Sequence, residues 1–216
     1  MGPVSAADEY LTEDEPLLAA RANAADLGGA EPVLPVVGAT LRFLASSVGA
    51  RTVVEIGTGC GSSGIWLLRG MRPGATLTSV DTEPEYHRMA RRALAQAGFA
   101  PNQCRLILGR ALDVLPRLSD GAYDMVFCDA DARDYPEYLT AALRLLRPGG
   151  VVAFNNVLSA GPPAVSDPED PEDPAGASAP DVARQVREDD RLVPVLLPLG
   201  DGLLAAVKKG KGEKGD

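Results

Sequence analysis

Cysteine, positive charge and long apolar runs are all scarce in this chain, and each shortage removes a class of function. Its three cysteines, Cys60, Cys104 and Cys128, are an odd number with no CxxC pair. The spacing therefore predicts reduced thiols, with neither a disulfide framework nor a thiolate zinc site. Lys and Arg number 21 against 30 Asp and Glu, a net charge of −9. That balance excludes the broad basic footprint that nucleic acid or an anionic membrane surface requires. No apolar run approaches the roughly 18 residues of a bilayer-spanning helix. The opening Met1-Gly2-Pro3-Val4-Ser5-Ala6 has no basic stretch followed by an apolar one, and Ala6 breaks the myristoylation pattern. A cytoplasmic protein acting on small molecules is the simplest expectation.

What is present suffices for one core: 216 residues, 45% of them hydrophobic and 24% charged, need no disulfide or structural metal. From about residue 51, β-branched apolar runs alternate with helical spacing, which marks a parallel sheet covered by helices on both faces. The strands read as Arg51 to Gly57, Ala75 to Asp81, Cys104 to Gly109, Tyr123 to Asp129 and Gly150 to Asn156. Between them, helices are predicted over Ser62 to Arg72, Pro84 to Gly98, Ala111 to Leu118 and Tyr135 to Leu146. Arg191 to Leu199 and Leu203 to Lys209 are separated only by Gly200-Asp201-Gly202, a connection short enough for an antiparallel hairpin alone. Pro194 and Pro198 lack a backbone donor and assign the first of these runs to a sheet edge.

The expected architecture is thus α/β: a seven-stranded, mostly parallel sheet ending in an antiparallel hairpin. Residues 1–50 read as a helical cap of the same domain, with helices over Asp8 to Gly28 and Val33 to Val48 and a surface suited to a homodimer. Residues 51–209 form the core, interrupted by a mobile acidic loop over Ala160 to Pro180, and 210–216 form a disordered tail.

The strongest local signal is Glu55-Ile56-Gly57-Thr58-Gly59-Cys60-Gly61-Ser62-Ser63, where the first strand feeds the first helix. Glycines there, Gly57 and Gly59 among them, let a ligand touch the backbone, and Asp81 at the tip of the next strand can accept from both hydroxyls of a ribose. Together they predict an adenosine-containing ligand. Gly59, Gly61 and Gly64 also satisfy GxGxxG, which keeps a nicotinamide dinucleotide in play. Glu55 stands too early for that pattern and well for a ligand with an amino group.

In the succession VVEIGTGCGSSGIWLL, TSVDTEPEY, LILGRALDVLPRL, YDMVFCDADARDYPEYLTAALRLLRPGG and LLPLGDGLLAAVKK, the chain from about Val33 to Lys209 resembles the class I S-adenosylmethionine-dependent O-methyltransferases of the catechol and caffeoyl-CoA type. The resemblance implies a Rossmann-like methyltransferase fold and transfer of a methyl group from S-adenosylmethionine to a hydroxyl of a small-molecule acceptor. By position, Glu55, Gly57, Thr58 and Ser63 would line the methionine side, Asp81 would hold the ribose, Ala111 would lie beside the adenine and Asp129 would face the transferred methyl. Val33, on the entering helix, would give a backbone contact.

Metal-using members of that family hold a divalent ion such as magnesium with an Asp at the fourth strand end and an Asp-Asn pair at the fifth, and a Lys takes the proton. This chain keeps Asp129 but carries Asn155-Asn156 and Ala132 in the other places. One lost carboxylate weakens a hard-cation site of Asp129, Asn155 and Asn156, since affinity follows ligand charge. The same losses motivate a second reading, a cofactor-binding protein with impaired catalysis. Asp131 and Tyr135 are the substitute bases, with competing roles as a helix cap and a packing residue. His87 falls in a charged helix and Trp66 among apolar neighbours, so both read as structural.

Overall fold

Alternate residues of a strand point to opposite faces of its sheet, and in the central strands here both faces are apolar, so those strands feed two cores. In the computed structural model, which describes residues 11–27, 31–158 and 179–210, Val53, Met125 and Phe127 enter one core while Val54, Val126 and Cys128 enter the other. The elements in chain order are α1 (Glu15–Leu27), α2 (Pro35–Ser47), β1 (Thr52–Ile56), α3 (Ser62–Gly70), β2 (Thr76–Asp81), α4 (Pro84–Gln96), β3 (Cys104–Leu108), α5 (Ala111–Val114), β4 (Tyr123–Cys128), α6 (Tyr135–Leu145), β5 (Leu146–Phe154), α7 (Ala179–Glu188), β6 (Leu192–Leu197) and β7 (Leu203–Lys208).

They build a seven-stranded sheet in the order β3-β2-β1-β4-β5-β7-β6. The first five strands are parallel, and β7 runs antiparallel to both β5 and β6. This is the expected Rossmann-like α/β arrangement. β6, carrying Pro194, pairs with β7 alone and forms the sheet edge. Leu17 of α1, Val37 and Leu41 of α2, and Ile65 and Leu67 of α3 cover one face. Tyr135 and Leu139 of α6 and Val182 and Val186 of α7 cover the other. The apolar stripe of α2 packs closely enough on α3 that Gly38 touches the indole of Trp66. Cys60, Cys104 and Cys128 are all free and buried, and no helix of the described residues is long and apolar enough to cross a membrane.

Several boundaries differ from the sequence reading. The first helix starts at Glu15 within the expected Asp8 to Gly28 span, of which residues 8–10 and 28 lie outside the described residues. Val33 precedes α2 instead of lying on it, because Pro35 fits the first turn, where its missing N–H costs nothing. Pro116 removes a donor, so the helix from Ala111 tightens after Val114 into a 3₁₀ turn over Leu115–Arg117. Of the acidic stretch Ala160 to Pro180, residues 160–178 lie outside the described residues, while Ala179 and Pro180 open α7, a helix the sequence reading did not draw.

Candidate active site

The strand order reverses between β1 and β4: β1 leads on to β2 and β3 on one side, and β4 leads to β5 on the other. Connections leaving the carboxyl ends of β1 and β4 therefore diverge, and the crevice between them is where ligands bind in open α/β sheets. The loop after β1 is shaped by what glycine permits. Gly57 has φ +94, and a Cβ there would lie 2.0 Å from the Asp129 carbonyl oxygen, so no other residue lets the loop pass so close to the end of β4. Gly61, at φ +92, opens α3 in the left-handed conformation, and its carbonyl accepts from the Ile65 N–H at 3.0 Å.

Register then decides which side chains meet. Glu55 is paired with Ser79 across β1 and β2, so the two side chains share a face. Ser79 Oγ donates to Glu55 Oε2 at 2.5 Å and lies 2.6 Å from Thr58 Oγ1. Both Glu55 and Ser79 are buried. At the end of β2, Asp81 Oδ2 accepts the N–H groups of Thr58 (2.9 Å) and Gly59 (3.0 Å), and Oδ1 accepts that of Glu83 (3.0 Å). The acid expected to meet a ribose thus also clamps the glycine loop.

These elements enclose a cavity of about 580 Å³ that brings together Val33, Gly57, Thr58, Gly59, Ser63, Asp81, Ala111, Asp129 and Asn156, a volume typical of small-molecule sites. Glu55 lies buried behind the loop, within the wall of the site. Asn155 is buried beside Asp129, its Nδ2 donating to Asp129 Oδ1 at 3.0 Å. Both Asn155 and Asn156 fall just past β5, and Asn156 takes φ +56, a conformation asparagine tolerates better than most residues. Asp131 is not among the lining residues. It is exposed, accepts the Arg133 N–H at 3.0 Å as a cap and forms an ion pair with the Arg133 guanidinium at 2.5 Å.

Tyr135 is a packing residue: its ring is buried against Phe154, its hydroxyl donates to the Asn155 carbonyl at 2.9 Å, and burial pushes its phenol far above the usual range. Tyr138 also packs, yet lines the cavity with its hydroxyl on Asp134 Oδ2 at 3.2 Å. His87 and Trp66 stand away from the lining. Sequence reasoning missed Tyr86, in the first turn of α4 and on the same rim as Asp81. It also missed Ser79, whose only signal was its register position beside Glu55.

The described lining is acidic, with Glu31, Asp81, Glu83 and Asp129 and no Lys, Arg or His. Burial pushes the Glu55 carboxyl up to about 7 against the opposing hydrogen bonds of the Ser79 and Ser63 hydroxyls, and the charges of Asp129 and Asp81 add to the rise. Burial likewise raises Asp129 to about 6, against the opposing hydrogen bond from Asn155. Glu55 Oε1 and Ser62 Oγ are buried with no partner among the described residues. An unpaired acceptor behind an acid-lined cavity fits a ligand with a cationic amino group. A hard divalent cation fits poorly: Asp129 is the one carboxylate of the expected trio, Asn155 turns a donor toward it, and the described residues hold no group of three or more His, Cys, Asp or Glu placed for a metal.

A family profile described as O-methyltransferase matches residues 20–209. The chain is 48% identical over 205 residues to a Mycolicibacterium vanbaalenii protein that carries an O-methyltransferase name, spanning 95% of this chain and 89% of that one. Among solved structures it is similar to TomG, an O-methyltransferase of Streptomyces achromogenes involved in tomaymycin synthesis and crystallised with SAM. The identity is 33% and the TM-score 0.83, over 95% of this chain and 97% of that one. An O-methyltransferase of Bacillus cereus crystallised with SAH gives 29% identity and a TM-score of 0.81, over 95% and 98% of the two chains.

Proposed function

The chain belongs to the O-methyltransferase family, and from that premise we propose that its cavity binds S-adenosylmethionine and that the protein methylates a hydroxyl of a small-molecule acceptor. The observation that carries the reading is the pair of acids flanking the glycine loop, Glu55 behind it and Asp81 at the end of the neighbouring strand. In this reading Asp81 holds the ribose hydroxyls, the unpaired Glu55 Oε1 side takes the amino group, and the Gly57 to Gly59 backbone lies along the methionine. Ser63 lies at the same end, Ala111 beside the adenine, and Val33, its carbonyl held by Arg21 at 3.0 Å, makes the backbone contact.

The bound cofactor supplies a methyl group on a positively charged sulfur for in-line attack by the acceptor oxygen. The protein's part is alignment in a site shielded from water. Asp129, at the end of β4 and on the cavity wall, is the carboxylate placed to receive the acceptor's proton. Asp131, tied to Arg133, takes no part in this reading. The reading routes no step through a metal, because Asn155 supplies a carboxamide where a second carboxylate would be needed.

Calorimetric titration with S-adenosylhomocysteine in the presence of a chelator tests the site. Saturable binding, with none for a nicotinamide dinucleotide, is the expected result. Absence of S-adenosylhomocysteine binding would overturn the proposal. A panel of hydroxylated aromatic acceptors, assayed in chelator and again with magnesium, then tests for metal-free transfer.

A further inference from the structure

We propose that Ser79, which stands outside the cavity lining, is a positioning residue for the cofactor's amino group, joining Glu55 and Thr58 in a hydrogen-bond relay whose direction follows the charge on Glu55. The inference rests on the reading of the cavity as an S-adenosylmethionine site.

A serine hydroxyl has one hydrogen. Ser79 gives its hydrogen to Glu55 Oε2, so the 2.6 Å contact with Thr58 requires Thr58 to be the donor. With Glu55 ionised, the order is therefore Thr58 to Ser79 to Glu55. Both hydroxyl hydrogens then point inward, and Thr58, which lines the cavity, turns only lone pairs toward a ligand. An ammonium group has donors and no acceptor, so it matches that lone pair, with the buried Glu55 carboxylate behind it supplying the opposite charge.

Protonation of Glu55 makes it a donor and lets the relay reverse, so that Thr58 aims a hydrogen at the ammonium. Affinity for the amino group is thereby coupled to the Glu55 charge, and Ser79 transmits the coupling. The groups facing Glu55 are the Asp81 carboxylate from the end of β2, the Asp129 carboxylate from the end of β4, the Cys104 thiol of β3 and the Ser63 hydroxyl of α3. The carboxylates oppose its ionisation, and no cation stands among these groups. With the Glu55 carboxyl at about 7, the relay reverses near neutral pH.

The test compares wild type with Ser79→Ala and, should alanine unfold the chain, Ser79→Cys, which keeps the size but is a weak donor. S-adenosylhomocysteine is titrated from pH 5.5 to 8, alongside 5′-methylthioadenosine, which keeps the nucleoside thioether and lacks the amino acid. Wild-type affinity for S-adenosylhomocysteine should rise with pH around neutrality. In Ser79→Ala that rise should move up by about one pH unit, with roughly tenfold weaker binding at pH 6.5. Methylthioadenosine should bind both proteins alike across the range. An unmoved pH midpoint overturns the proposal, as does an equal loss for methylthioadenosine, which would mean that the loop itself had collapsed.

Carboxyl carbon NMR of Glu55 in the ligand-free protein gives a readout independent of the cofactor, and its titration midpoint should also rise in Ser79→Ala. A raised NMR midpoint with no binding of S-adenosylhomocysteine to wild type would overturn the cofactor reading. Intact binding with an unmoved NMR midpoint would overturn the role of Ser79 alone.

Discussion

The side-chain amide of Asn155 donates to Asp129 Oδ1 across 3.0 Å, just beyond the ends of β5 and β4. It satisfies one oxygen of a partly buried carboxylate with a neutral donor, where a second carboxylate would need a cation or a proton between the pair. Asn155→Asp should therefore create affinity for a divalent ion. Magnesium titrated into wild type with S-adenosylhomocysteine present should give no saturable heat, and Asn155→Asp should give a saturable one, as expected for added ligand charge. Equal saturation of the two proteins would contradict the assignment.

Asp81 combines two tasks, gathering the Thr58 and Gly59 amides and presenting its remaining lone pairs to the cavity. Asp81→Asn keeps the shape and loses the charge. Charge-assisted bonds of about 1.5 to 3 kcal/mol are at stake, so S-adenosylhomocysteine should bind roughly 10- to 100-fold more weakly while circular dichroism stays unchanged. Asp131→Ala, which removes only an exposed cap and ion pair, should leave that affinity as it is.

Much of this site was legible because its parts sit at strand ends, where runs such as TVVEI and TLTSVD announce both the element and its tip. Glu55, Asp81 and the glycines were visible for that reason. Ser79 was not, because its role depends on the β1–β2 register, and local sequence does not encode which residue lies across from it. The helix over Ala179–Glu188 was hidden for a different reason. Among its described side chains Val182 and Val186, one turn apart, are buried in the core and Ala183 packs partly against it, and a stripe so narrow is outweighed by polar neighbours and the preceding Pro-rich acidic stretch. Asp129 and Asp131 flank Ala130 alike in DAD, and the fold separates them: Asp129 lines the cavity and accepts from Asn155, while Asp131 is exposed and paired with Arg133.

The share of ligand-free stability carried by Glu55 and Asp129 should fall as pH rises toward neutrality. Glu55 moves from 4.5 to about 7 on folding and Asp129 from 3.8 to about 6, so the folded chain binds these protons more tightly than the unfolded one. The stability slope from these groups is then negative: their favourable contribution is complete below the unfolded values and is lost as pH climbs through 6 to 7. Glu55→Gln removes its share, so the melting temperature of that variant relative to wild type should rise between pH 5 and pH 8. Asp124 and Asp189, whose values are lowered by their partners, act in the opposite sense at acid pH, and His87, lowered by burial, does so nearer neutrality, so the comparison with Glu55→Gln isolates the Glu55 share. A constant difference between the two proteins would show that Glu55 does not titrate in this window.

Gly38 gives a test of the packing that holds the N-terminal helices on the sheet. A Cβ at this position of α2 would fall 2.3 Å from Cδ1 and Nε1 of Trp66 on α3, and the indole, 4% exposed, is enclosed by the same core as Leu41 and Ile65. Neither helix can yield without disturbing its other contacts, so Gly38→Ala overpacks the interface at a cost of about 1 to 3 kcal/mol. The denaturant midpoint should drop with the slope unchanged, which marks lost stability without a change in the surface exposed. Trp66→Phe in the same chain vacates part of the clash. The double variant should therefore lose less than the sum of the two single losses, a coupling that additive behaviour would refute.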